Sequence, residues 1–166
     1  MKKMKKVSKL TTLALFVSLA MILSFIEHQI PPLVAVPGIK LGLPNVAIVF
    51  VLYGIGEKEA VAVSLVRIFL VSVLFGSVMS LMYSVAGAVL SLTVMILLKK
   101  SRRFSCVTVS VTGGVCHNIG QIIVACFVTK TAELVYYLPV LLISGVVAGV
   151  LIGLISGIVL KRMEKL

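Results

Sequence analysis

Six apolar stretches, at about 10–28, 45–56, 60–76, 81–98, 105–129 and 137–160, fill most of this 166-residue chain. No water-soluble fold of that length can bury them all. Hydrophobic residues make up 60% of the sequence and charged residues 13%, against roughly 45–50% and 25% in soluble domains. Apolar surface in such excess needs lipid as its solvent. The net charge of +11 does not indicate a nucleic-acid binder, because its basic residues sit in short clusters between uncharged runs. The expectation is an all-α integral membrane protein, a bundle of six transmembrane helices forming one domain over residues 1–166.

The basic residues set the orientation. With six crossings, pieces 1–9, 57–59, 99–103 and 161–166 lie on one side and hold 13 of the 16 Lys and Arg. That asymmetry predicts cytoplasmic N- and C-termini in a multi-pass protein of the cell membrane. The apolar run after MKKMKKVSK lacks a small-residue cleavage site and reads as an uncleaved first span. The second stretch, Asn45–Ile55, is too short to cross alone at about 1.5 Å per residue. Before it, PPLVAVPGIKLGLP carries Pro31, Pro32, Pro37 and Pro44, which forbid a continuous helix. The expectation is an external loop folding over the bundle, with Pro44 opening the second helix at its first turn; an ordinary external hairpin is the alternative.

Polar side chains inside spans are costly and mark candidate sites. Arg67 lies well within the third stretch and either pins backbone carbonyls, pairs with a Glu or meets a ligand. In the fifth, TGGVCHNIGQ puts Gly113, His117 and Gln121 on one helical face, with Gly114 and Asn118 beside it. The glycine one turn before His117 leaves room for a ligand or another backbone; a satisfied structural histidine is the other reading. Glu27 and His28 end the first stretch, Asn45 opens the second, and Lys40 lies in the loop; all four can join from outside, although Glu27 fits equally well as a wetted headgroup-level residue. Tyr83, Tyr136 and Tyr137 suit interfacial anchoring or aromatic walls. Gly145, Gly149, Gly153 and Gly157 recur every four residues as a ridge without side chains, expected to be a helix-packing seam. Ser80, Ser84 and Ala88, with Gly87 and Ser91, form a similar row.

Several chemistries find no support. The acids are Glu27, Glu57, Glu59, Glu133 and Glu164, with no Asp. Glu57 and Glu59 flank Lys58 in what reads as a solvated turn. Cys106, Cys116 and Cys126 form no C-x-x-C pair, so neither a zinc site nor a disulfide framework is expected. There is no P-loop and no H-E-x-x-H. No metal or cofactor is expected, and no enzymatic activity of the chain's own.

The segments LSFIEHQIPPL, PGIKLGLPN, VRIFLVSVLFGS, GGVCHNIGQ and YYLPVLLISGVVAGVLIG resemble the Gx transporter family, whose members are often labelled heptaprenyl diphosphate synthase component I. That family is similar to the substrate-binding S components of energy-coupling-factor vitamin transporters. The resemblance implies six helices, a capping first external loop, and coupling to a nucleotide-driven module through small residues of the first helix. Ala14 and Ser18 match that patch, with Ser where Ala is usual. The expected function is capture of a small anionic or planar polar-headed solute from outside, energised by a partner ATPase and transmembrane module. One alternative is a non-catalytic membrane component acting with a soluble polyprenyl diphosphate synthase, since such synthases hold Mg²⁺ on aspartates this chain lacks. Another, implied by relatives found beside flavin-based electron-transfer components, is a subunit of a membrane flavin- or quinone-linked redox system.

Overall fold

The computed structural model describes residues 6–29, 42–76 and 78–163, and within them every regular element is helical. The helices are α1 (Lys6–Gln29), α2 (Asn45–Gly54), α3 (Glu57–Phe75), α4 (Val78–Ser101), α5 (Cys106–Thr129) and α6 (Leu138–Met163), with a short 3-10 helix, Ala132–Tyr137, leading into α6. Four stretches are long and apolar enough to cross a membrane on their own: Val7–Gln29, Val78–Ser101, Cys106–Thr129 and Ala132–Arg162. The expected six therefore reduce to four by this measure. Helix α3 carries Glu57, Lys58, Glu59 and Arg67, and the 10 residues of α2 reach only about 15 Å, half a hydrocarbon core. Large apolar side chains such as Leu15, Phe69, Leu97, Ile123, Phe127 and Ile143 point outward, as lipid-facing surface does. The proline-rich stretch with Pro31, Pro32, Pro37 and Lys40 lies outside the described residues.

Local chemistry sets the helix ends. Ser105 caps α5 by accepting a hydrogen bond from the Thr108 amide at 3.1 Å, relieving one orphan donor of the first turn. Glu57 and Glu59 open α3, where the positive end of the helix dipole favours them, and Lys99 and Lys100 close α4 at its negative end. Pro44 stands one residue earlier than expected, at the cap of α2 rather than inside it (φ −61°, ψ −22°). Its carbonyl accepts from the Ala47 amide at 3.2 Å.

Helices α2, α3, α4, α5 and α6 pack neighbour to neighbour, and α6 returns to α2 to close the ring; α1 packs outside, against α2 and α3. The short helix is the most enclosed. Ala47 through Leu52 are all buried, and Ile48, Val49, Val51 and Leu52 share a core with Ala60, Val63, Leu92, Met95, Val109 and Ile152. A helix apolar on every side is stable only where other helices surround it.

One end of the bundle is tied by charge. Lys9 of α1 pairs with Glu59 of α3, and Lys100 of α4 with Glu57 at 3.2 Å. Lys99 donates to the Leu52 carbonyl at 2.6 Å and lies 5.6 Å from the centre of the Tyr53 ring. It thus satisfies a carbonyl that the end of α2 leaves without an intrahelical partner. Glu57 and Glu59 are not the solvated pair the sequence suggested: both begin a helix and both hold a lysine of another one. Lys9 holds the Glu59 carboxyl below the usual carboxylate range by hydrogen bonding to its charged form.

Candidate binding site at mid-bundle

Helices α1 and α3 run parallel in a register of 50 residues. Lys9 meets Glu59 at the basic end, and the Phe25 and Phe75 rings lie 5.6 Å apart at the other. Arg67 stands eight residues from both Glu59 and Phe75, about 12 Å along the axis from either. It is therefore close to the middle of the bundle. It shares the inward face of α3 with Ala60, Val63 and Ser64, all buried, while Leu65, Val66, Phe69 and Val73 face out. Its Nε is buried and has no hydrogen-bond partner among the described residues. The Glu27 carboxylate bears on it electrostatically.

Two hairpin registers bring His117 to the same depth. Helix α4 begins three residues after α3 ends, so Arg67 is level with residues about 86–87 of α4. At that level Gly87 lies under His117: a Cβ on Gly87 would be 2.8 Å from the His117 carbonyl oxygen and 2.9 Å from ring atoms Nδ1 and Cε1. Gly120 is similarly close to the backbone of Ala86 and Gly87. The α4–α5 seam is thus a glycine-lined contact with the imidazole pressed into it, and Arg67 and His117 flank α4 at one depth. Gly113, expected to leave space for a ligand, instead accommodates Met95, whose Sδ would be 2.5 Å from an added Cβ.

Asn118 performs a structural task, its amide donating to the Leu141 carbonyl of α6 at 2.5 Å. The α5–α6 seam continues through backbone-to-backbone approaches of Gly114 with Gly145, Gly149 with Val111, and Gly153 with Val107. Gly157 departs from the expected ridge of four, because nothing among the described residues lies within 4 Å of where its Cβ would be. Of the small-residue row on α4, Gly87, Ala88 and Ser91 are buried, while Ser80 and Ser84 are half-buried.

Three residues before α2, the helix whose other end Lys99 caps, the Gly42 amide donates to Glu27. Gly42 is left-handed (φ +73°), with Asn45 Nδ2 at 3.2 Å and Ile152 Cδ1 at 3.5 Å from where a Cβ would be. Glu27, Gly42, Asn45 and Ile152 therefore gather residues from α1, the start of α2 and α6. His28 is exposed and its ring lies 6.3 Å from that of Phe75. Gln121 is half-buried one turn beyond His117. Lys40 is outside the described residues. Ala14 and Ser18 are exposed on α1, the Ser18 hydroxyl donating to the Ala14 carbonyl at 3.0 Å. Tyr136 is 84% exposed and forms no wall. Sequence reasoning missed the seat that Gly87 makes for His117, and the buried Tyr53 hydroxyl, which has no hydrogen-bond partner among the described residues.

A family model described as heptaprenyl diphosphate synthase component I matches residues 16–159. The chain belongs to this family. Comparison with curated proteins and with solved structures finds no match. The heptaprenyl diphosphate synthase component I match spans the residues just described, from Ser18 and Glu27 to Gly157. The carboxylates of the described residues do not fit a diphosphate-bridging metal cage, which needs several clustered oxygens. Glu57 and Glu59 hold lysines, Glu27 holds the Gly42 amide, and Glu133 is exposed on the 3-10 helix. Among the described residues no three His, Cys, Asp or Glu group together.

Proposed function

We propose that this chain is a non-catalytic membrane component that holds an anionic ligand at mid-bundle beside Arg67, while a partner protein does the chemistry. One observation carries the reading. Arg67 sits midway along α3 on its inward face, with a buried Nε that lacks an acceptor among the described residues. An unsatisfied donor of a permanent cation in apolar surroundings costs several kcal/mol. A ligand anion that accepts from it removes that cost. His117, level with Arg67 across α4, adds a titratable donor, and Asn45 and Gln121 add amides.

The family description favours a soluble polyprenyl diphosphate synthase as the partner. Capture of a solute for transport is the second reading, supported by the exposed Ala14 and Ser18 on α1. In both, the chain crosses the cell membrane six times with cytoplasmic ends.

Purification of the full chain in native lipids, with mass spectrometry of retained small molecules and proteins, tests this. Wild type is expected to retain an anionic compound that Arg67→Leu and His117→Ala variants release while melting normally. Retention unchanged in both variants refutes the site. A co-purifying soluble prenyl synthase supports the first partner, and an ATPase pair the second.

A further inference from the structure

We infer that the Glu27 carboxylate is an internal stand-in for the ligand's anionic group, which a carboxylate or phosphate of the incoming ligand displaces. This rests on the reading of Arg67 as an anion site.

Three observations converge on it. First, the position Glu27 occupies is built to receive an anion. The Gly42 amide donates to the carboxylate from a left-handed residue (φ +73°) that Asn45 and Ile152 enclose, a conformation suited to glycine. Second, this amide lies three residues before α2, at the positive end of that helix's dipole. The Asn45, Val46 and Ala47 amides already donate to the carbonyls of Gly42, Leu43 and Pro44. Pro44 has no amide hydrogen, and the Gly42 amide is the donor that meets the carboxylate. Third, the same carboxylate bears on Arg67, whose Nε lacks an acceptor among the described residues. In the 50-residue register the Glu27 backbone stands about ten residues and ~15 Å along the axis beyond that of Arg67, but its carboxylate reaches back to the Gly42 amide, ten residues before the Leu52 carbonyl that Lys99 caps. Held at the Gly42 amide, that carboxylate leaves Nε without an acceptor. A ligand anion not tethered to α1 can lie between the two donor sets and replace Glu27 at one while meeting Arg67 at the other. The ligand class is then a small molecule with a carboxylate, phosphate or diphosphate group.

The test uses full-length protein in zwitterionic-lipid nanodiscs, with inorganic diphosphate, inorganic phosphate and acetate as separate probes to distinguish the anion sources. Binding is measured by calorimetry, and the ¹⁵N-labelled Gly42 amide shift is followed alongside. With Glu27→Gln, at least one probe is expected to bind roughly tenfold tighter or more than to wild type, with the Gly42 amide moving toward its wild-type shift as that probe binds. With Glu27→Gln combined with Arg67→Gln, the gain disappears. If Glu27→Gln fails to fold, Glu27→Asp decides, since its shorter reach weakens the stand-in and a smaller tightening is expected. Binding unchanged or weakened in the Glu27 variant, with a Gly42 amide that no probe shifts, overturns the stand-in while Arg67 retains its role. Probe binding indifferent to Arg67→Gln, or no probe binding in any variant, overturns the Arg67 reading itself.

Discussion

Replacing Gly149 by alanine is the sharpest test of how the bundle is held together. The added Cβ would stand 2.5 Å from Val111 Cα, 2.9 Å from the Ser110 carbonyl oxygen and 3.0 Å from the Val111 amide nitrogen. All three are backbone atoms, so no side-chain rotation relieves the clash. Carbon atoms pack at about 3.5–4.0 Å, and the α5–α6 seam must therefore open by about 1 Å. That loosens Gly145 against Gly114 and lengthens the Asn118 bond to Leu141, which share the seam. Overpacking costs about 1–3 kcal/mol, and alanine's helix preference over glycine returns up to about 1 kcal/mol. With that full return the net expectation is a loss of about 0–2 kcal/mol. Gly157→Ala is the control. It adds the same methyl group where nothing among the described residues lies within 4 Å, so it should keep or slightly raise stability. Denaturation in detergent, followed by far-ultraviolet circular dichroism, compares the two. If Gly149→Ala unfolds no earlier than Gly157→Ala, the close approach of α5 and α6 is wrong.

Arg67→Leu should melt at or above the wild-type temperature, because it removes a buried donor without an acceptor; a markedly lower melting temperature would make Arg67 a structural pin. Lys99→Met should cost about 1.5–3 kcal/mol by leaving the Leu52 carbonyl without its charged donor, and unchanged stability in the same denaturation assay would count against that cap. The Glu59 carboxyl is held below its ordinary range by Lys9, so its contribution is full above the unfolded-state value and is lost as pH falls through the folded one. Wild type and Glu59→Gln should accordingly differ in melting temperature near neutral pH and converge in acid. A gap that persists at the lowest pH would mean that the pair is not what stabilises this end.

Much of the helix pattern is readable from the chain because helical hydrogen bonds close within one segment. Proline spacing places the start of α2 within one residue, and its length alone shows that it does not cross by itself. The candidate site is less legible. Arg67 stands out as a charge in an apolar run, yet nothing in its neighbourhood of sequence shows that it shares a depth with His117. The four-residue glycine repeat points to a seam but does not separate Gly153, which meets Val107, from Gly157, which meets none of the described residues. Gly113 looked like room for a ligand because the Met95 that fills it comes from a different helix.

Residue types and their order alone required lipid as solvent, helices as elements and a basic end, since those follow from apolar area, local hydrogen bonding and charge. Which partners meet was settled by the rotation and shift of one helix against another. Lys9 with Glu59, Lys99 with the Leu52 carbonyl and Glu27 with the Gly42 amide join separate elements. Periodicity within a segment gives the face a side chain occupies, but only packing sets the depth at which it meets its neighbour.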